Sequence, residues 1–86
     1  MKQYKFYSYP SHGWLAVKKS ELIDLGILDQ ISEYSYIKGQ TVYLEEDRDA
    51  TIFINAFRAK FNQEPMLIDK ISNKLSPIRS YERVLK

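Results

Sequence analysis

The sequence predicts a small α+β domain, in which an antiparallel sheet of four to five strands carries two helices mainly on one face. Two pairs of short aromatic or β-branched runs are each joined by a turn that contains glycine. Each pair is followed by a run in which apolar residues recur at helical spacing. The expected order is therefore ββαββα, with a short fifth strand or a coil tail after it.

The first hairpin and a short helix occupy the beginning of the chain. Alternating side chains over residues 3–17 predict two strands around a turn with proline and glycine. Ser20 is expected to cap a helix that carries Leu22. Gly26 is expected to end this helix in the left-handed conformation, so that Ile27 folds back on Leu22 in a Schellman motif.

The second hairpin is predicted from residues 31–37 and 41–44, on either side of Gly39. Because side chains alternate along a strand, Tyr34 and Tyr36 are expected on the same side. If the helices cover one face of the sheet, several tyrosines must lie on the other face.

The clearest helix of the chain follows the second hairpin. Its apolar residues cluster on about half of the helical wheel over residues 52–61. Asp47 or Asp49 is expected to cap the helix, and Pro65 prevents it from continuing beyond about Asn62.

The end of the chain is more polar. Residues 66–68 are apolar and predict the fifth strand or a packed segment. Residues 72–86 are expected to form a basic, less ordered tail of a single domain that spans residues 1–86.

The charge of the chain is unevenly distributed. The formal net charge is +2, but residues 1–19 carry +4, residues 20–64 carry −5 and residues 65–86 carry +3. The chain has no cysteine, which excludes disulfides and cysteine-ligated zinc. It also has no apolar run long enough to span a membrane and no signal-peptide pattern, so we expect a cytoplasmic location.

The sequence predicts neither an enzyme nor a bound cofactor. His12 is the only histidine, and nothing nearby in sequence supplies a nucleophile or acid held against it. The acidic run ending at Asp49 lacks the spacing of a calcium-binding loop, because the sixth and twelfth positions from Asp47 hold Ile52 and Arg58. We therefore interpret these acids as helix caps and as a surface for a basic partner.

Two surfaces are candidates for binding. Acids beside tyrosines favour docking to a basic protein surface. The first candidate, a protein-binding surface, consists of Tyr34, Tyr36, Glu45, Glu46 and Asp47. Basic groups interleaved with aromatic ones favour the alternative, a nucleic-acid-binding regulator. This second candidate consists of Lys5, Lys18, Lys19, Lys74, Arg79, Tyr81 and Arg83.

Four segments also resemble small accessory proteins of bacteriophages and mobile elements, a loose class that includes anti-CRISPR inhibitors. These segments are His12-Gly13-Trp14, Leu25-Gly26-Ile27, residues 31–36 and residues 43–47. The resemblance implies a protein that binds and inhibits a host protein complex in the host cytoplasm. It carries over no functional residue. The sequence leaves open whether the chain forms a homodimer through a sheet edge or the tyrosine face.

Overall fold

The computed structural model describes residues 2–10, 12–71 and 82–83, and it confirms the α+β class. Within these residues, two helices, a 3-10 turn at Leu28–Gln30 and six strands follow one another. The strands and helices are β1 (Gln3–Tyr9), β2 (His12–Lys18), α1 (Lys19–Asp24), β3 (Tyr36–Lys38), β4 (Thr41–Glu45), α2 (Asp49–Phe61), β5 (Met66–Ile71) and β6 (Glu82–Arg83).

The sheet is mixed, so the expectation of a wholly antiparallel sheet is wrong. Its strand order is β5-β1-β2-β4-β3-β6, and every neighbouring pair is antiparallel except β1 and β5, which are parallel. The physical reason is α2, whose 13 residues carry the chain back along the sheet by about 20 Å. Because of this return, β5 starts beside Gln3 and runs in the direction of β1.

The short helix α1 ends as the sequence predicts and begins differently. Gly26 has a φ of 69°, and its N–H donates to the Ile23 carbonyl at 2.9 Å. The Ile27 N–H donates to the Leu22 carbonyl at 3.0 Å, which completes the predicted Schellman motif. The Ser20 cap is wrong, because the helix already begins at Lys19, its N-cap residue is Lys18, and no side-chain cap hydrogen bond forms within the described residues.

The strand predicted over residues 31–37 is much shorter than expected. Only Tyr36–Lys38 pair as β3, while the backbone of residues 31–35 turns. The reason is a set of hydrogen bonds from this segment to Asp49, which pull it out of the sheet. Tyr34 therefore does not share a strand face with Tyr36.

The long helix α2 ends at Phe61, inside the limit that Pro65 sets. Asn62 follows in the left-handed conformation, and its N–H donates to the Arg58 carbonyl at 2.9 Å. The expected cap by Asp47 or Asp49 is wrong. The N-cap residue is Arg48, and among the described residues no side-chain hydrogen bond caps the first turn.

The main core lies between the helices and one face of the sheet. Phe53 and Phe57 of α2 and Leu22 of α1 pack there against the buried side chains of β1, β2 and β4. Tyr4 meets Phe53 edge-on, with ring centroids 5.0 Å apart. Both helices therefore cover the same face, as the sequence predicts.

The predicted tail falls largely outside the described residues. The backbone of β6 pairs with β3, with Arg83 opposite Tyr36. Residues 72–81 and 84–86 lie outside the described part of the chain. No helix within residues 2–10, 12–71 and 82–83 has the length and apolar character needed to cross a membrane.

Candidate functional site

The face of the sheet opposite the helices is aromatic. Trp14 and Tyr36 are buried there and meet edge-on, with ring centroids 5.3 Å apart. Tyr7 and Tyr43 are half-buried, with centroids 6.0 Å apart and rings tilted by 56°. The Trp14 Nε1 is buried and finds no acceptor within the described part of the chain, so ring contacts hold this side chain. We call this surface the open face.

The strand register places Glu45 toward one end of the open face and Lys18 and Lys38 toward the other. At one end, Trp14 lies opposite Glu45, and the turn after β4 brings further acids. At the other end, Lys18 and Lys38 both lie opposite Thr41. We define the acidic end as Tyr34, Glu45 and Asp47.

A buried carboxylate holds the acidic end together. The Asp49 side chain is fully buried and accepts the Ser32 N–H at 3.0 and 3.1 Å. It also accepts the hydroxyls of Ser32 at 2.7 Å and of Ser35 at 2.5 Å. The Ser35 Oγ in turn accepts the Glu45 N–H at 2.9 Å. This network, which we call the Asp49 clamp, joins the start of α2 to the 32–35 turn and to the end of β4.

The clamp brings some of the predicted protein-binding residues together and separates others. Tyr34 is 58% exposed on the clamped turn, while Tyr36 is only 6% exposed and lies inside the aromatic cluster. Asp47 is exposed, and its N–H donates to Glu45 Oε1 at 3.1 Å. The Glu46 carboxylate comes close to Gly13 on the helix side, and its N–H donates to the Gly13 carbonyl at 3.1 Å. The predicted surface is thus reduced to Tyr34, Glu45 and Asp47, because alternation turns Glu46 away.

The other end of the open face contains a shallow depression of about 390 Å³. Ala16 lies on it, and the small side chain leaves room between the neighbouring strands. Tyr7 and Tyr43 line the depression from β1 and β4. Lys5 and Lys18 line it as well, and both are exposed. This arrangement places two ammonium groups and two aromatic rings around one concave surface.

An acidic residue at the rim of the depression is already engaged. Glu21 Oε1 accepts the Lys2 ammonium at 3.0 Å and the Tyr4 hydroxyl at 2.8 Å. Burial raises the pKa of the Tyr4 hydroxyl well above its ordinary value, and the hydrogen bond to Glu21 raises it further. Tyr4 therefore stays protonated and remains a donor at any physiological pH.

The predicted nucleic-acid-binding residues are only partly brought together. Lys5 and Lys18 meet at the depression, and Lys19 follows Lys18 as the first residue of α1. The side chains that remain lie outside the described part of the chain; they are those of Lys74, Arg79, Tyr81 and Arg83.

The His12 side chain lies against the aromatic cluster of the open face. The His12 ring stacks on Trp14, with centroids 5.9 Å apart and planes 25° apart. In the described ranges, no group of three or more histidine, aspartate or glutamate side chains is arranged to hold a metal ion.

Sequence reasoning missed the clamp and the role of Tyr43. Nothing in the spacing of Ser32, Ser35 and Asp49 indicates that they meet, because the contact depends on a turn that replaces a strand. Tyr43 could have been found, because alternation along the predicted strand places its side chain on the other face of the sheet from Val42 and Leu44. A comparison with protein-family models, curated proteins and solved structures gives no match to this chain.

Proposed function

We propose that this chain is a non-enzymatic interaction protein that uses its acidic end to bind a basic surface on a host protein complex and inhibit it. The observation that supports this most directly is the Asp49 clamp. The clamp holds an exposed aromatic side chain, Tyr34, on a turn that is tied to Glu45. Tyrosine gives a large contact area for little lost rotamer freedom.

The rigidity of this end is the reason that it suits binding. A surface that is already ordered loses less conformational entropy on association. The acids Glu45 and Asp47 would speed the encounter with a basic partner and fix its register, while Tyr34 would supply most of the affinity. The resemblance to phage accessory proteins supports an inhibitory role, in the cytoplasm of a bacterial host.

Affinity capture from a bacterial lysate tests this proposal, with nuclease added to remove partners that are bridged by nucleic acid. We expect Tyr34→Ser and Asp47→Lys each to reduce capture of a specific protein by tenfold or more, since hot-spot residues contribute about 2 kcal/mol or more. Asp69→Lys is the matched control, because it makes the same charge change on an exposed residue of β5. Equal capture by all four proteins would contradict the proposal.

A further inference from the structure

The depression on the open face has no role in the proposed function, although lysines and tyrosines line it together. We propose that it is a binding site for single-stranded nucleic acid, with Tyr7 and Tyr43 as stacking surfaces and lysines as phosphate contacts. This inference does not rest on the acidic end, although Tyr7 and Lys70 lie in register with Trp14 and Glu45.

The first argument is the placement of charge across the face. Side chains alternate along a strand, and this alternation puts one lysine from each of four strands on the open face. Each of these lysines lies on the same side of the sheet as Tyr7, Ala16 or Tyr36. These are Lys5 of β1, Lys18 of β2, Lys38 of β3 and Lys70 of β5, and all four are exposed. The lysines come from both sides of the two tyrosines, so a polyanion crossing the strands would meet ammonium groups along its path.

The second argument is the pairing of these lysines with aromatic rings. A purely solvating set of lysines needs no half-buried tyrosines between them. Tyr7 and Tyr43 are held by contact with each other, with centroids 6.0 Å apart. At this separation and a tilt of 56° they leave no slot for a base between them. A base would therefore stack on an outer ring face, as in sequence-tolerant single-strand binding.

The third argument is size and shape. A volume of about 390 Å³ falls within the range of ligand sites, whose usual size is about 300–1,000 Å³. The depression is open to solvent along the sheet, so it suits a chain that enters and leaves rather than an enclosed small molecule. Duplex DNA cannot place a base on the tyrosine rings, because its bases are already paired and stacked within the helix.

Fluorescence anisotropy with labelled oligothymidylate and oligouridylate of about 20 nucleotides tests the site. We expect binding that weakens steeply as salt rises, and a Lys5→Gln/Lys18→Gln variant whose salt slope is lower by about 1.4, the value for two lost single-strand contacts. Lys60→Gln, which removes one charge rather than two, is the control for charge loss elsewhere, because Lys60 is an exposed lysine of α2, away from the open face.

Tyrosine variants separate stacking from simple charge attraction. Tyr43→Leu should reduce affinity about tenfold at constant salt, whereas Tyr43→Phe keeps the ring and should bind like the wild type. Circular dichroism of each variant shows that it is folded, and Tyr7→Leu repeats the test on the neighbouring strand. The comparison of the two oligonucleotides decides whether DNA or RNA is preferred.

Three results would overturn the inference. The first is no binding of either oligonucleotide at about 50 mM salt. The second is equal loss of affinity in the Lys60 control and the Lys5/Lys18 variant. The third is equally tight binding of a duplex of the same length, which would indicate charge attraction without stacking.

Discussion

Asp49 shows how one residue changes the meaning of a sequence pattern. An aspartate at the start of a helix predicts a cap, yet its carboxylate points away from the free N–H groups of α2 and accepts donors from Ser32 and Ser35. The backbone and hydroxyl donors of the 32–35 turn are buried or half-buried, so water would not replace the Asp49 carboxylate as their acceptor. Leaving these donors without an acceptor would therefore cost more than leaving the N–H groups at the start of α2 uncapped.

We therefore predict that Asp49→Ala destabilises the domain by about 2–4 kcal/mol. The substitution removes a charged acceptor and leaves buried donors unsatisfied. Urea denaturation measures the change. Asp47→Ala is the control, since its side chain is exposed, and we expect a change within about 0.5 kcal/mol. Similar costs for the two variants would show that the clamp contributes nothing beyond a helix-end charge.

Gly13 is a second residue whose role comes from a close approach. A Cβ at this position would overlap the Glu46 carboxylate and would lie 2.7 Å from the Phe6 ring. We predict that Gly13→Ala costs about 1–3 kcal/mol, because overpacking forces the Phe6 ring to move. In a Phe6→Leu background the same change should cost less. Additive costs in this double-mutant cycle would contradict the explanation.

At the scale of elements, local signals predict the helices better than the strands. The Schellman ending of α1 is predicted because glycine at C′ and an apolar residue after it act within a few residues. The length of β3 is not predictable in this way, since residues 31–35 have strand character and lose it only to a contact with Asp49 in α2. The parallel pairing of β5 likewise depends on where a whole helix returns the chain.

The ending of α1 gives a prediction at this scale. Gly26→Ala should destabilise the domain by about 1 kcal/mol, because an alanine at a φ of 69° is strained. The cost should come from this backbone strain alone, since no atom of the described residues lies within 4 Å of the added Cβ. Gly26→Asn should cost less, because asparagine tolerates the left-handed conformation. Thermal denaturation compares the three proteins. An alanine variant as stable as the wild type would mean that α1 ends without this conformation.

At the scale of the molecule, the sequence indicates blocks of opposite charge, and the fold arranges part of them as two ends of one sheet. Glu45 of β4 and Lys18 of β2 lie on the same face of neighbouring strands, and the register keeps them at opposite ends of these strands. For the two candidate sites, the sequence predicts only which types of residue take part. Which lysines and tyrosines come together depends on how β1, β2 and β4 pair. The clamp and the depression are therefore products of tertiary structure.

The separation of the two ends predicts how their binding functions are coupled. Lys18 and Trp14, which lies opposite Glu45, are four residues apart on β2, or about 13 Å. The screening length is about 8 Å at physiological salt and about 30 Å at 0.01 M salt. Asp47→Lys should therefore leave oligothymidylate binding within about twofold at physiological salt and strengthen it several-fold at 0.01 M salt.

The same variant should lose protein capture at physiological salt, because that loss comes from a local contact at the acidic end. Anisotropy at the two salt concentrations and capture at the higher one measure the three quantities on a single protein. If Asp47→Lys strengthened oligonucleotide binding equally at both salt concentrations, the new lysine would be touching the nucleic acid directly. The two ends would then form one continuous binding surface, because a purely long-range effect of the new charge would be weakened by screening at the higher salt concentration.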